Sequence, residues 1–339
     1  MTWNQDYRLH SVRFNPQRDG GEQPLVISGI TSASVNPNAD ILREVTSGEI
    51  YANTAVLQTM RFVGSFTTQN LAQVLGTNGP GINAGSASCI TSSPGNGTGL
   101  DLYFARQGCA GPSSVDTHVQ YNIAAGVIVP TTMTVDHRGN AEISYDIYAR
   151  SVDGASPVTK VSLANNALPT LAGNDLRWTL NQMWINGVLT EGKRSISINF
   201  NANVLQEGAD SDTFDSVVSV DSMLQRIVVT GVNPDWLDNG TSNDGVSAIF
   251  GEQVTEGDAA DPDAAGTFSF FLKERNSDTT ATEHIFLGAN GLLNWENIVS
   301  GDPRSPAQTA LAIDVTNPST ATAPIVYSTG VAIPALPTP

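Results

Sequence analysis

Apolar and polar residues alternate with a period near two along most of the chain. The runs are Leu25-Val-Ile-Ser, Ala55-Val-Leu, Met60-Arg-Phe-Val, Val119-Gln-Tyr-Asn-Ile, Thr132-Met-Thr-Val and Glu142-Ile-Ser-Tyr-Asp-Ile-Tyr. Further on come Ser195-Ile-Ser-Ile-Asn-Phe, Arg226-Ile-Val-Val, Phe268-Ser-Phe-Phe-Leu and Thr309-Ala-Leu-Ala-Ile-Asp-Val. This period places successive side chains on opposite faces of a sheet and predicts strands. Turn chemistry separates the runs. Trp184-Ile-Asn-Gly-Val-Leu predicts a tight hairpin, because Asn-Gly tolerates the positive φ of a type I′ turn. Asp136-His-Arg-Gly-Asn and Gly301-Asp-Pro-Arg-Ser read as turns in equivalent places. Helical patterning is scarce. Thr68 to Leu75 predicts one short helix, with Thr67 or Thr68 as cap, Leu71, Val74 and Leu75 on one face, and Gly76 as the stop. Asn233-Pro-Asp-Trp-Leu is a second, shorter helix start.

The sequence also repeats itself. Asn36-Pro-Asn-Ala-Asp-Ile-Leu-Arg-Glu44 matches Asn199-Phe-Asn-Ala-Asn-Val-Leu-Gln-Glu207 at an offset of 163. In the same order, Met60 matches Met223, Arg61-Phe-Val matches Arg226-Ile-Val, and Leu102-Tyr-Phe104 faces Ser269-Phe-Phe271. His118 then matches His284, Gly126-Val-Ile matches Gly291-Leu-Leu, and Ala167-Leu-Pro169 matches Ala332-Ile-Pro334. The collinearity predicts two tandem copies of one β domain, residues 1–170 and 171–339, each large enough to hold its own core. The resulting fold class is all-β: two antiparallel β-sandwich or barrel domains, each with one short helix.

Charge changes the picture more than composition does. The 339 residues carry a formal charge of −17, and only three lysines are present, so the chain has no footprint for gripping nucleic acid or anionic lipid. Nine bases and twelve acids fall in 1–170, against seven and twenty-one in 171–339, so the second copy holds most of the charge. Much of the excess sits in one stretch, Asp235, Asp238, Asp244, Glu252, Glu256, Asp258, Asp261 and Asp263. That stretch lacks the ligand order of a calcium loop and reads as a solvated acidic loop. The N-terminus shows no apolar signal region and no run is long enough to cross a membrane as a helix. Two cysteines, Cys89 and Cys109, are expected to stay reduced in a cytoplasm.

Chemistry-bearing motifs are missing: no nucleophile elbow, metalloprotease helix, phosphate loop or dinucleotide fingerprint occurs. The histidines are His10, His118, His137 and His284. Two of them, His118 and His284, occupy equivalent repeat positions, which favours a structural role. Asn96-Gly-Thr and Asn239-Gly-Thr fit the glycosylation sequon and read as turns. No catalytic, cofactor-binding or metal-ligating residue is expected.

The first copy resembles the tail tube proteins of long-tailed, siphovirus-like bacteriophages. The likeness is carried by Ile27-Ser-Gly-Ile-Thr, Thr46-Ser-Gly-Glu-Ile-Tyr51, Phe66-Thr-Thr-Gln-Asn-Leu-Ala, the run from Thr117 to Pro130, and Ala149-Arg-Ser-Val-Asp-Gly154. The run from Ala323 to Ile333 in the second copy has the same character. The resemblance implies packed antiparallel sheets that self-associate edge to edge into rings, which stack into the conduit for DNA ejection. With two copies per chain it implies a homotrimeric, pseudo-hexameric ring, the hexamer being the alternative. It further implies residence in the virion tail after assembly in the host cytoplasm, and tape measure, tail terminator and distal tail proteins as partners. Double-stranded DNA is met only in passing, and no membrane is involved. The assembly contacts are expected after the first long strand of each copy: Arg43, Glu44, Glu49 and Tyr51, matched by Gln206, Glu207, Asp212 and Phe214. The rival classes are a capsid decoration or surface-fibre protein, and a secreted β-sandwich enzyme, which would need two opposed carboxylates in a cleft.

Overall fold

Strands account for most of the chain. The computed structural model describes residues 7–14, 25–45, 47, 51–52, 54–75, 80, 88–90, 99–108, 111–113, 117–163, 167–171, 176–185, 188–190, 194–208, 212–232, 266–300, 308–316 and 324–336. The first half contains β1 (Tyr7–Phe14), β2 (Leu25–Ile27), β3 (Ile30–Glu44), β4 (Thr54–Thr68), β5 (Ser88–Ile90), β6 (Leu100–Gly108), β7 (Gly111–Pro112), β8 (His118–Ile123), β9 (Gly126–Asp136), β10 (Glu142–Ala149) and β11 (Val158–Leu163). The second half contains β12 (Trp178–Ile185), β13 (Val188–Leu189), β14 (Ser195–Asn199), β15 (Ala202–Glu207), β16 (Val217–Met223), β17 (Arg226–Val232), β18 (Gly266–Glu274), β19 (His284–Ser300), β20 (Gln308–Val315) and β21 (Ile325–Val331). The expected runs all fall on strands, and every ladder between them is antiparallel.

The strand order repeats. In the first half β2-β1-β6-β8-β11 form one sheet, while β3-β4-β10-β9 belong to a second. The second half lays down β13-β12-β18-β19 with β21 on β19, and β14-β17-β20 followed by the later part of β19. One long strand, β19, thus does the work of β8 and β9 together. The irregularities repeat as well. The β1–β6 ladder shifts register between Leu9 and Ser11, and the β12–β18 ladder between Leu180 and Gln182. Equivalent bulges break the long hairpins at Asp40/Ile41 and at Asn203/Val204.

Two glycines share one cause. Gly126, at φ +152°, and Gly291 stand where the chain passes from one sheet into the other. A Cβ would lie 2.1 Å from the Tyr148 carbonyl oxygen at Gly126 and 2.6 Å from the Asp314 carbonyl oxygen at Gly291. Only glycine allows the backbones to approach so closely.

Ladder register corrects the finer sequence alignment. Asn36 faces Val63 where Asn199 faces Arg226, so Arg226 corresponds to Val63 and not to Arg61. Likewise Ser11 faces Tyr103 where Gln182 faces Phe271, so Tyr103 corresponds to Phe271. Side-chain likeness, an arginine in the first match and aromatic rings in the second, draws both away from the positions that face the same partner.

The one helix described, α1 (Leu71–Leu75), is shorter than expected. The Thr68 hydroxyl accepts the Asn70 amide at 3.1 Å and donates to the Ser28 carbonyl at 2.9 Å, which holds the entry turn in place of a cap on the first helical residues. Gly76, the second helix start at Asn233 and the turn at Gly301 lie outside the described residues, as do Asn186 and Gly187. The pairs Trp184–Leu189 and Ile185–Val188 nevertheless flank a two-residue connection, as a tight hairpin requires.

The larger sheet runs through both halves. Strand β9 of the first half takes β14 of the second, from Ser195 opposite Asp136 to Asn199 opposite Thr132. Inward side chains on either side of this seam, Met133, Val135, Ile196 and Ile198, are buried in one continuous apolar cluster with Phe66, Tyr145, Trp178 and Leu311. Phe66 stacks on Tyr145 with centroids 5.0 Å apart.

Candidate assembly surface

The seam between the halves is broader than its ladder. Phe200 N–H donates to the Thr131 carbonyl at 3.0 Å, and Ala141 N–H donates to the Trp178 carbonyl at 2.8 Å. The Thr179 hydroxyl donates to the His137 carbonyl at 2.9 Å, so the β9–β10 turn sits on β12. On the inner side α1 lies against β21.

A second contact comes from the hairpin β15–β16. In the first half the corresponding hairpin is formed by the continuations of the sheet strands β3 and β4 themselves. Here it bends at Asn201, which has φ 45° and donates through its side chain to the Leu224 carbonyl at 2.9 Å. Asparagine adopts this left-handed conformation at low cost. The bend lays the tip across the first half: Met60 N–H donates to the Thr213 carbonyl at 2.7 Å, and Ser151 N–H to the Asp215 carbonyl at 2.8 Å. Phe214 packs on Phe62 with centroids 6.0 Å apart, and Arg61 ion-pairs with buried Asp215 at 3.1 Å. Burial raises the Asp215 carboxyl above its ordinary value, and Arg61 only partly opposes this.

The expected contact residues therefore divide. Gln206 and Glu207 lie in β15, Asp212 and Phe214 in the tip, and Phe214 is spent on the first half of its own chain. Arg43 and Glu44 sit at the exposed far end of β3, and Tyr51, in the place of Phe214, is 81% exposed. Glu49 and the acidic stretch from Asp235 to Asp263 lie outside the described residues. The sequence reading missed Arg61, Asp215 and the bend at Asn201; the matched pair Tyr51 and Phe214 was the available signal.

The outward face of the shared sheet is a field of hydroxyls. It carries Ser32 and Ser34 of β3, Ser65 and Thr67 of β4, Ser144 of β10, Thr132 and Thr134 of β9, Ser195 and Ser197 of β14, and Thr230 of β17. Ser34 bonds Ser65 at 3.0 Å, Thr67 bonds Ser144 at 2.9 Å, and Ser195 bonds Thr230. Arg61 and Arg226, on this face, both meet carboxylates. Arg226 lies 2.5 Å from Glu296 and 3.6 Å from Asp314. Partial burial raises the Asp146 carboxyl, and the Tyr148 hydroxyl rises through burial and the neighbouring Asp146.

His118 and His284 are structural. Each is buried, and each accepts a backbone N–H at Nδ1, from Arg106 at 3.1 Å and from Glu274 at 3.0 Å. His284 Nε2 donates to the Asp278 carbonyl at 2.7 Å. No group of three or more metal-ligating side chains occurs among the described residues. Among the described residues, donors converge on the buried carboxylate of Asp101. It takes Arg13 at 2.6 Å, Gln120 at 2.6 Å and Asn122 at 2.7 Å, which fills its acceptor positions. No protein-family model matches the chain, and no curated protein matches it.

Proposed function

We propose that this chain is a structural virion protein that assembles head to tail into rings, and that the stacked rings form a bacteriophage tail tube for passage of double-stranded DNA. The observation that carries the reading is the seam. Two halves with one strand order join through unlike edges, β9 of the first to β14 of the second. An interface between unlike edges can repeat, and its repetition gives a closed ring or an open helix. Three chains then supply six equivalent positions, and closure removes the strand edges that would aggregate in an isolated molecule.

The hydroxyl-rich outward face suits the lumen of such a conduit. Basic side chains would hold phosphates by releasing counterions and would stall the polymer. Arg61 and Arg226 on this face pair with Asp215, Glu296 and Asp314, and the chain as a whole carries −17. Ser and Thr hydroxyls offer DNA no more than the water they displace.

Negative-stain electron microscopy of the purified chain at rising concentration, with native mass spectrometry, tests the proposal. Rings or tubes with a central hole and masses in multiples of three chains are expected. Particles that bind only to a preformed lattice would replace the tube with a decoration protein.

A further inference from the structure

The two halves bury their equivalent apolar positions to different depths. In the second half Trp178, Ile198, Phe200, Leu287 and Ile325 are 1, 1, 1, 3 and 4% exposed. Ladder register assigns them to Tyr7, Val35, Pro37, Tyr121 and Val158 of the first half. There Tyr7, Val35, Tyr121 and Val158 are only half-buried and Pro37 is exposed. These five residues, with Phe62, Phe104, Val119 and Lys160, line an open groove of about 540 Å³ between the outer edge of β3 and strand β11. In the second half the same place is closed by the first half: β9 pairs with β14, α1 lies against β21, and Tyr145 approaches Tyr327.

We infer that this groove is a socket for the second half of another copy of the chain, a deepening that rests on the head-to-tail reading above. The occupant follows from continuity with the internal seam. Strand β9 corresponds to the later part of β19, with the same bulge between Pro130 and Thr132 as between Trp295 and Asn297. Among the described residues, β19 pairs with β20 alone from Asn297 to Ser300, and no strand lies on the outer edge of β3. Moving the seam by one half gives the register between molecules: Asn36 opposite Asn297 and, past a further shift between Asn297 and Ser300, Ser34 opposite Ser300. Pro37 replaces Phe200, so the ladder ends one hydrogen bond sooner than its internal counterpart. Tyr51 then stands toward the neighbour's Met223 as Phe214 stands toward Met60.

Cysteine pairing tests this register. Asn199 and Thr132 flank the Phe200–Thr131 hydrogen bond as a non-hydrogen-bonded pair, for which Cα atoms are about 4.5 Å apart and within disulfide reach. Asn199→Cys with Thr132→Cys is the internal control and should close within one chain. Asn36→Cys with Asn297→Cys should link different chains under mild oxidation, giving a covalent ladder on a non-reducing gel and a linked 36–297 peptide by mass mapping. Val158→Asp, with folding checked by circular dichroism, should leave the chain monomeric. Oligomers without the 36–297 linkage, a chain that never links, or a Val158→Asp variant that assembles normally would each overturn the socket. Linked rings that never stack would leave the socket standing and remove the tube, whereas tubes lacking the linkage would do the reverse.

Discussion

The outer sheets of the two halves share strand order and bulge but are built from opposite chemistry. In the first half Arg13, Tyr103, Gln120 and Asn122 form a polar network around buried Asp101, with Arg13 also 5.6 Å above the Tyr103 ring. Register places Trp184, Ser269, Phe271, Phe286 and Gly288 in the same positions of the second half. There Phe271 and Phe286 pack at 5.2 Å and Gly288 leaves room for the Phe286 ring. One backbone plan thus accepts an ion-centred or an aromatic filling. What the plan does not vary is the small set of positions that shape the backbone, the bulges and the glycines at the sheet crossing.

The strongest challenge to that comparison is at the crossing glycines. Gly126→Ala must push a Cβ into the Tyr148 carbonyl and hold a strained φ, so a loss of about 3 kcal/mol or more in urea unfolding is expected. Gly291→Ala should fall in the same range. A small effect at either would mean that the crossing is not a fixed element of the plan.

The polar network comes next. Asp101→Ala strips Arg13, Gln120 and Asn122 of their shared acceptor and should cost about 3 kcal/mol, whereas Ser269→Ala should cost under about 1 kcal/mol. Equal losses would show that the two fillings are not the alternatives described.

The hairpins provide a smaller contrast. Phe214→Ala should destabilise the isolated chain by about 1–2 kcal/mol and speed hydrogen exchange at the Met60 amide, because the tip is anchored by Phe62 and that amide. Tyr51→Ala should leave the isolated chain within about 0.5 kcal/mol of the parent and reduce assembly instead. The reverse pattern would exchange the roles of the two hairpins.

The smallest effect expected is one of pH. Burial raises the folded Asp146 carboxyl above its unfolded value of 3.8, so the folded chain holds that proton more tightly. The associated stability is complete below the unfolded value and is lost as pH rises through the folded one. Asp146→Asn should therefore raise the melting temperature at pH 7 by a degree or so and leave it unchanged at pH 3, as read by calorimetry. Equal effects at both pH values would remove the titration as the cause.

Period-two alternation was enough to locate the strands, because the pleat forces neighbouring side chains to opposite faces whatever lies beyond them. The repeat was legible for a similar reason: Asn36 to Glu44 and Asn199 to Glu207 face the same partners and keep the same bulge. The match slips at Arg61 and at Leu102 because similar side chains recur every second residue along a strand, whereas each position has one ladder partner. The candidate contacts were half legible. The match of Tyr51 with Phe214 was visible, but that Phe214 turns inward depends on the bend at Asn201, and nothing in that asparagine's neighbours announces a positive φ.

By itself, then, the sequence determined an antiparallel all-β chain with a recurring strand plan, structural histidines at matched positions and an acidic balance. These follow from local period, turn chemistry and charge count. Only the tertiary structure decided that one sheet runs through both halves, that Arg61 and Arg226 meet carboxylates on its hydroxyl face, and that one apolar groove is closed internally while its counterpart stays open. Those outcomes depend on which distant strand edges and side chains meet, and in a sheet such pairings are set by register across the whole fold.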